Sequence, residues 1–253
     1  MAASVAFAGI TSVGAPDARS IPLLPEPFDE ALPCTLASFV PAAANVPIVD
    51  DGDPITIGVF LVLDRGIGED RGREAIEVAR RAYQPLGLAL EVTGVREVEL
   101  EGTDSSSLLE QTAALFPERS RPVGSDAVVT FTSVNMTNLT GSSVAGQAAC
   151  VGGIRYPTEA FVVSEVKDDR GYDYSLVTMS GQKTAKIVAH ELAHLLGAHH
   201  QYANCAEGAP SEMDRNEASP CTLMFNDVGL LSLAFGTLEG TVARGYASEY
   251  ARP

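Results

Sequence analysis

Apolar and polar positions along the chain fall into a readable series of elements from about Pro54 onwards. Thr56 to Leu63 (TIGVFLVL) is an unbroken apolar, β-branched run between Gly-Asp-Pro and Asp-Arg-Gly, which predicts a buried strand. In Arg73 to Gln84 the positions Ile76, Ala79 and Tyr83 recur at helical spacing, and Pro85 with Gly87 ends the run. Leu88 to Leu100 alternates as a strand. Asp104, or one of the serines after it, can cap a helix reaching Phe116 that Pro117 stops. Asp126 to Thr132 is another buried strand, Ser133 to Ser143 a polar loop, and Val144 to Val151 and Ala160 to Val166 two further strands. After the turn Asp168 to Gly171 a long helix begins near Thr184. The order β-α-β-α-β-β-β before a long helix predicts an α/β (α+β) fold, a mixed five-stranded sheet with helices packed against it.

Residues 1–53 do not share this order. Pro, Ala and Ser dominate there, and IPLLPEPFDEALP and VPAAANVP interrupt any periodicity, so the stretch reads as a leader or arm ahead of a folded unit spanning 54–253. Its first residues have the apolar centre of a secretory signal without a basic start or a clean cleavage site, leaving an atypical signal and an unstructured start as two readings. The 253 residues, 45% hydrophobic and 20% charged, are enough for a sizeable core. Seventeen basic against 33 acidic residues leave a net charge of −16, which excludes nucleic acid and anionic membranes as expected partners. No apolar run approaches the roughly 20 residues of a membrane span. Nothing in the sequence sets an oligomeric state. Cys34, Cys150, Cys205 and Cys221 permit three pairings, and Asn135-Met-Thr and Asn138-Leu-Thr are formal glycosylation triplets.

All four histidines lie within one eleven-residue segment, His190-Glu-Leu-Ala-His194-Leu-Leu-Gly197-Ala-His199-His200. His190 and His194 are one helical turn apart and project from the same face, where both can bind one cation. Glu191 points roughly 100° round the helix, out of the tetrahedron but within reach of a water at its open corner. Gly197 suits a left-handed helix stop that turns the chain back, which makes His200 the natural third ligand and His199 the neighbour facing away. Three neutral imidazoles leave the fourth position of Zn²⁺ open, the arrangement of a catalytic site, and Glu191 then serves as general base in attack on an amide carbonyl.

His190, Glu191, His194, Gly197 and His200 together resemble the H-E-x-x-H-x-x-G-x-x-H motif of the metzincin metalloendopeptidases. The resemblance implies a metzincin-like sheet with a long active-site helix, and a C-terminal subdomain with a Met-turn under the zinc. Met224 is the methionine placed for that turn, 24 residues after His200. Within the superfamily the chain is most similar to the reprolysin (adamalysin and ADAM) group. Gly146 to Ile154 resembles that group's G-x-A-x-x-G-G edge strand, which assigns Gly146, Gln147, Ala148 and Ala149 to pairing with an extended peptide substrate. Cys205 and Cys221 flank the loop between the third histidine and Met224 and are expected to be bonded, which leaves Cys34 with Cys150. Two positions depart from the group: Gln201 stands where an Asp usually follows the third histidine, and Cys221 lies three residues before Met224 rather than two.

The expectation is therefore a secreted zinc endopeptidase with a protein or peptide substrate and one Zn²⁺; Ca²⁺ is compatible with the acidity and with family habit, without assignable ligands. Two alternatives stand beside it. One is a gluzincin-type peptidase whose third ligand is a downstream carboxylate such as Glu212 or Glu217, against which Gly197 and His200 count. The other is a catalytically silent zinc-containing binding or inhibitory module, against which the intact Glu191 counts. Cys34 has its own pair of readings, a disulfide partner or buried thiol and a thiolate capping the metal.

Overall fold

The computed structural model describes Cys34 and residues 54–166, 179–200, 222–224 and 233–251. Strand β1 (Ile55–Asp64) is followed by helix α1 (Glu69–Tyr83), strand β2 (Leu88–Val98), helix α2 (Ser105–Ala114) and strand β3 (Ala127–Thr132). A two-stranded ribbon, β4 (Met136–Thr137) and β5 (Ser143–Val144), then leads into β6 (Gly146–Ala148) and β7 (Phe161–Glu165), and helices α3 (Met179–Leu195) and α4 (Thr237–Tyr250) complete the order. No described helix is long and apolar enough to cross a membrane.

The main sheet has the order β2-β1-β3-β7-β6. Its first four strands are parallel, and β6 joins β7 antiparallel, with Gly146 opposite Ser164 and Ala148 opposite Val162. The expected mixed five-stranded sheet is thus present. The unbroken apolar run of β1 has a physical reason, because helices cover the strand on both faces. Ile57, Val59, Leu61 and Leu63 enter one core cluster with α1, α3 and α4, while Val62 enters a second with Leu108 and Leu109 of α2. β3 divides likewise: Val129 and Phe131 face the first cluster, Val128 the second, and Thr130 meets Thr112 of α2 at 3.0 Å.

Several boundaries differ from expectation. α1 starts at Glu69, a turn earlier than its apolar periodicity, because the first turn is held by exposed polar groups, among them Arg73 on Glu69 at 2.6 Å. α3 starts at Met179, not near Thr184, since Ser180, Gly181, Gln182 and Lys183 hide the helical pattern from a reading based on hydrophobicity. The strand expected over 144–151 is a ladder of only three residues, and the loop expected over 133–143 contains the ribbon β4–β5. Asp104 caps α2 as expected, accepting from the Ser107 amide at 2.8 Å.

Cys34 is bonded to Cys150, Cα to Cα 5.1 Å, and its amide donates to the Val151 carbonyl at 3.1 Å. Of its two sequence readings, the disulfide holds. Cys205 and Cys221, and with them their expected bond, lie outside the described residues, as do Gln201, Glu212 and Glu217.

Candidate active site

Helix α3 runs through the interior: from Thr184 to Ala198 every residue is buried. It packs between α1 and strands β6 and β7, and Tyr83 of α1 donates its hydroxyl to the Ala189 carbonyl at 2.6 Å. His190 and His194 therefore leave the helix on one stripe inside a fixed frame.

The helix ends in a Schellman arrangement. Gly197 adopts φ 84°, its amide donates to the His194 carbonyl at 2.9 Å, and the Ala198 amide reaches the Ala193 carbonyl at 2.9 Å. A second reason for glycine is space, because a Cβ on Gly197 would stand 2.5 Å from the ring of Tyr246 in α4. The reversal carries His200 back to the stripe. Its Nε2 lies 2.9 Å from that of His190 and 3.1 Å from that of His194, and the latter two are 3.1 Å apart.

What orients two of the rings is backbone. His190 Nδ1 donates to the Leu223 carbonyl at 2.8 Å, and His194 Nδ1 donates to the Ala198 carbonyl at 2.8 Å. With those protons on Nδ1, both Nε2 atoms present lone pairs towards the common point, an arrangement that repels itself unless a cation sits there. The charge state agrees. Burial, then the neighbouring imidazoles of His194 and His200, holds His190 well below the usual histidine range. Burial and His200 push His194 down to about 3, and burial and His199 push His200 down to about 4. Three neutral imidazoles converging at this spacing fit a tetrahedral Zn²⁺ with a fourth position open. Among the described residues they are the one group of three or more His, Cys, Asp or Glu that meets in this way. His199 is half-buried and stays out of the trio. No described group supports the Ca²⁺ expectation.

Glu191 is fully buried beside the trio, its carboxylate directed at the start of β6, where a Cβ on Gly146 would stand 2.7 Å from Oε1. β6 ends the sheet order, so its outer edge has no strand paired to it among the described residues. Gly146, Gln147 and Ala148 form the ladder to β7, and Ala149 adds one bond to the Phe161 carbonyl at 2.9 Å. Gly152 ties this rim to the helix through the His194 carbonyl at 2.8 Å.

Met224 is buried in the main core, in a turn with Leu223. The residue that sequence reasoning missed is Leu223. Its carbonyl holds His190, and its amide is bonded to the Ala234 carbonyl at 2.7 Å. A backbone acceptor has no side-chain signature, so only the methionine beside it marked the turn. Tyr83 escaped for another reason, being indistinguishable in sequence from an ordinary core aromatic.

A reprolysin-type model described as Metallo-peptidase family M12 matches residues 74–232. The chain belongs to that family, a family of metal-dependent hydrolases of peptide bonds, so a protein or peptide is its substrate. No curated protein matches it. Among solved structures it is similar to archaemetzincin from Methanopyrus kandleri at 19% identity, covering 79% of this chain and 99% of that one, with a TM-score of 0.52. It is also similar to a zinc-dependent peptidase from Methanocorpusculum labreanum at 15% identity, covering 74% of this chain and 100% of that one, with a TM-score of 0.51. The likeness establishes a metzincin-like fold.

Proposed function

We propose that this metallopeptidase is a zinc endopeptidase in which His190, His194 and His200 hold the metal and Glu191 is the general base. The observation that carries the reading is the convergence of three neutral imidazole nitrogens within 3.1 Å beside a fully buried carboxylate. A zinc ion so held supplies Lewis acidity towards a substrate carbonyl and the attacking water. Glu191 takes a proton from that water and returns it to the leaving amine nitrogen, so one carboxylate serves both halves of amide hydrolysis. Burial behind β6 keeps the carboxylate out of bulk solvent.

The edge of β6 offers amide and carbonyl groups to an extended peptide, which would add as a further antiparallel strand along Gly146 to Ala149. An edge with no strand paired to it among the described residues accepts a chain passing along it, which favours endopeptidase over exopeptidase action. Within the metzincins, the edge-strand glycines and the reprolysin-type family model favour the reprolysin branch. The Cys34–Cys150 disulfide supports secretion, because such bonds persist in oxidising compartments. Residues 1–53 are proposed as an arm preceding a catalytic unit of 54–253, and Met224 as its Met-turn. Cleavage of an internally quenched peptide, capped at both ends, abolished by a chelator and restored by Zn²⁺, tests the proposal. A chain that binds Zn²⁺ yet cleaves no peptide would favour the silent module instead.

A further inference from the structure

Gly146 is not among the glycines with positive φ, so backbone conformation does not require it. Space does. A Cβ at this position would stand 2.7 Å from Glu191 Oε1, 2.8 Å from Glu191 Cγ and 2.7 Å from Ile187 Cγ2, all well inside the roughly 3.5 Å of ordinary carbon contact. Neither side can yield freely. Glu191 and Ile187 are fully buried on α3, so the carboxylate has no solvent to swing into. β6 is held by its register with β7, by the Glu165 amide on the Ala145 carbonyl at 2.8 Å, and by the Gly152 amide on the His194 carbonyl at 2.8 Å.

We propose that Gly146 is a positioning residue: its missing side chain sets where the Glu191 carboxylate lies relative to the sheet edge. The inference rests on Glu191 being the general base. A substrate strand paired with β6 is registered against the backbone at Gly146, and the carboxylate oxygen lies 2.7 Å from where a Cβ of that residue would stand. The edge and the base are therefore one rigid gauge, and the distance from the scissile amide to the base is fixed through this glycine. Because β6 is tied to β7 and to α3, a side chain here turns the carboxylate away, which lengthens that distance.

The test is Gly146→Ala, with steady-state kinetics on a quenched peptide and metal analysis. Displacement of a reacting group by about 1 Å costs on the order of 10²-fold, so kcat should fall by about 10- to 100-fold. KM should change by less than about threefold and zinc should stay at about one per chain, because neither the ladder nor the imidazoles are altered. In a Glu191→Gln background the same substitution should change the residual kcat by less than about twofold, since the base it positions is gone. Equal losses in both backgrounds would overturn the inference, as would a lowered Tm with unchanged kcat. Full recovery of Gly146→Ala by Ile187→Ala would put the whole effect on Ile187 and also overturn it. If Gly146→Ala does not fold, the arbiter is Gly146→Ala combined with Glu191→Ala, which removes both the Cγ and the Oε1 that the new Cβ would meet. Recovery of folded, zinc-loaded protein supports the inference, and failure to recover overturns it. A fully active Glu191→Gln would instead refute the reading of the base itself.

Discussion

Replacing Gly197 by alanine should cost more than a typical helix-end substitution, because two effects meet at that residue. At φ 84° an L-residue loses on the order of 1–2 kcal/mol relative to glycine. The new Cβ would also stand 2.5 to 3.0 Å from three atoms of the Tyr246 ring, which is 5% exposed and packed in the main core, and overpacking of this kind costs about 1–3 kcal/mol. Together these give about 2–5 kcal/mol, which for a domain of this size lowers Tm by about 5–15 °C. The loss should be accompanied by weaker metal binding, since the same turn returns His200 to within 3.1 Å of its partners. Thermal unfolding of the metal-free and zinc-loaded variant, beside a chelator competition titration, measures both. A Gly197→Ala protein with Tm within about a degree of the parent and unaltered zinc affinity would refute this account of the turn.

The Cys34–Cys150 bond closes a loop across a sequence separation of 116, worth about 4–5 kcal/mol in the chain-entropy model, so reduction should lower Tm clearly. Peptide mapping of the unreduced protein should recover the two cysteines linked, and finding both alkylated would contradict the structure. Glu239, in the first turn of α4, is buried, and burial raises its carboxyl above 4.5. A raised folded value favours the protonated form, so this group costs stability progressively as pH rises above about 4.5. Glu239→Gln should therefore stabilise the protein at pH 7 relative to the parent and not at pH 4; urea unfolding at both values checks it, and a benefit confined to pH 4 would reverse the sign.

The metal centre was legible because it is local. His190, Glu191, His194, Gly197 and His200 are set by the period of one helix and one glycine turn, and both follow from spacing alone. β1 and β3 were legible because burial on two faces leaves an unbroken apolar run. Less could be read where a side chain carries no signal. The Leu223 carbonyl that orients His190 is backbone, and the first turns of α1 and α3 are polar. β6 is three residues long and is defined by a partner later in the chain, so its ends could not be found by alternation. The pairing of Cys34 with Cys150 was reached only as the remainder once Cys205 was assigned to Cys221, because a sequence separation of 116 leaves no local pattern to read.

The central claim, that three histidines hold the metal while Glu191 moves the proton, is tested most directly by zinc content and turnover measured together on Glu191→Gln and His200→Ala. Glu191→Gln keeps the side chain's shape and removes its basicity, so zinc should remain at about one per chain while peptide cleavage falls by the roughly 10² to 10⁴ typical of lost acid–base help. His200→Ala removes a ligand from the trio and should lose metal affinity first, with activity following it. Loss of zinc from Glu191→Gln, near-full activity in that variant, or undiminished zinc affinity in His200→Ala would contradict the account.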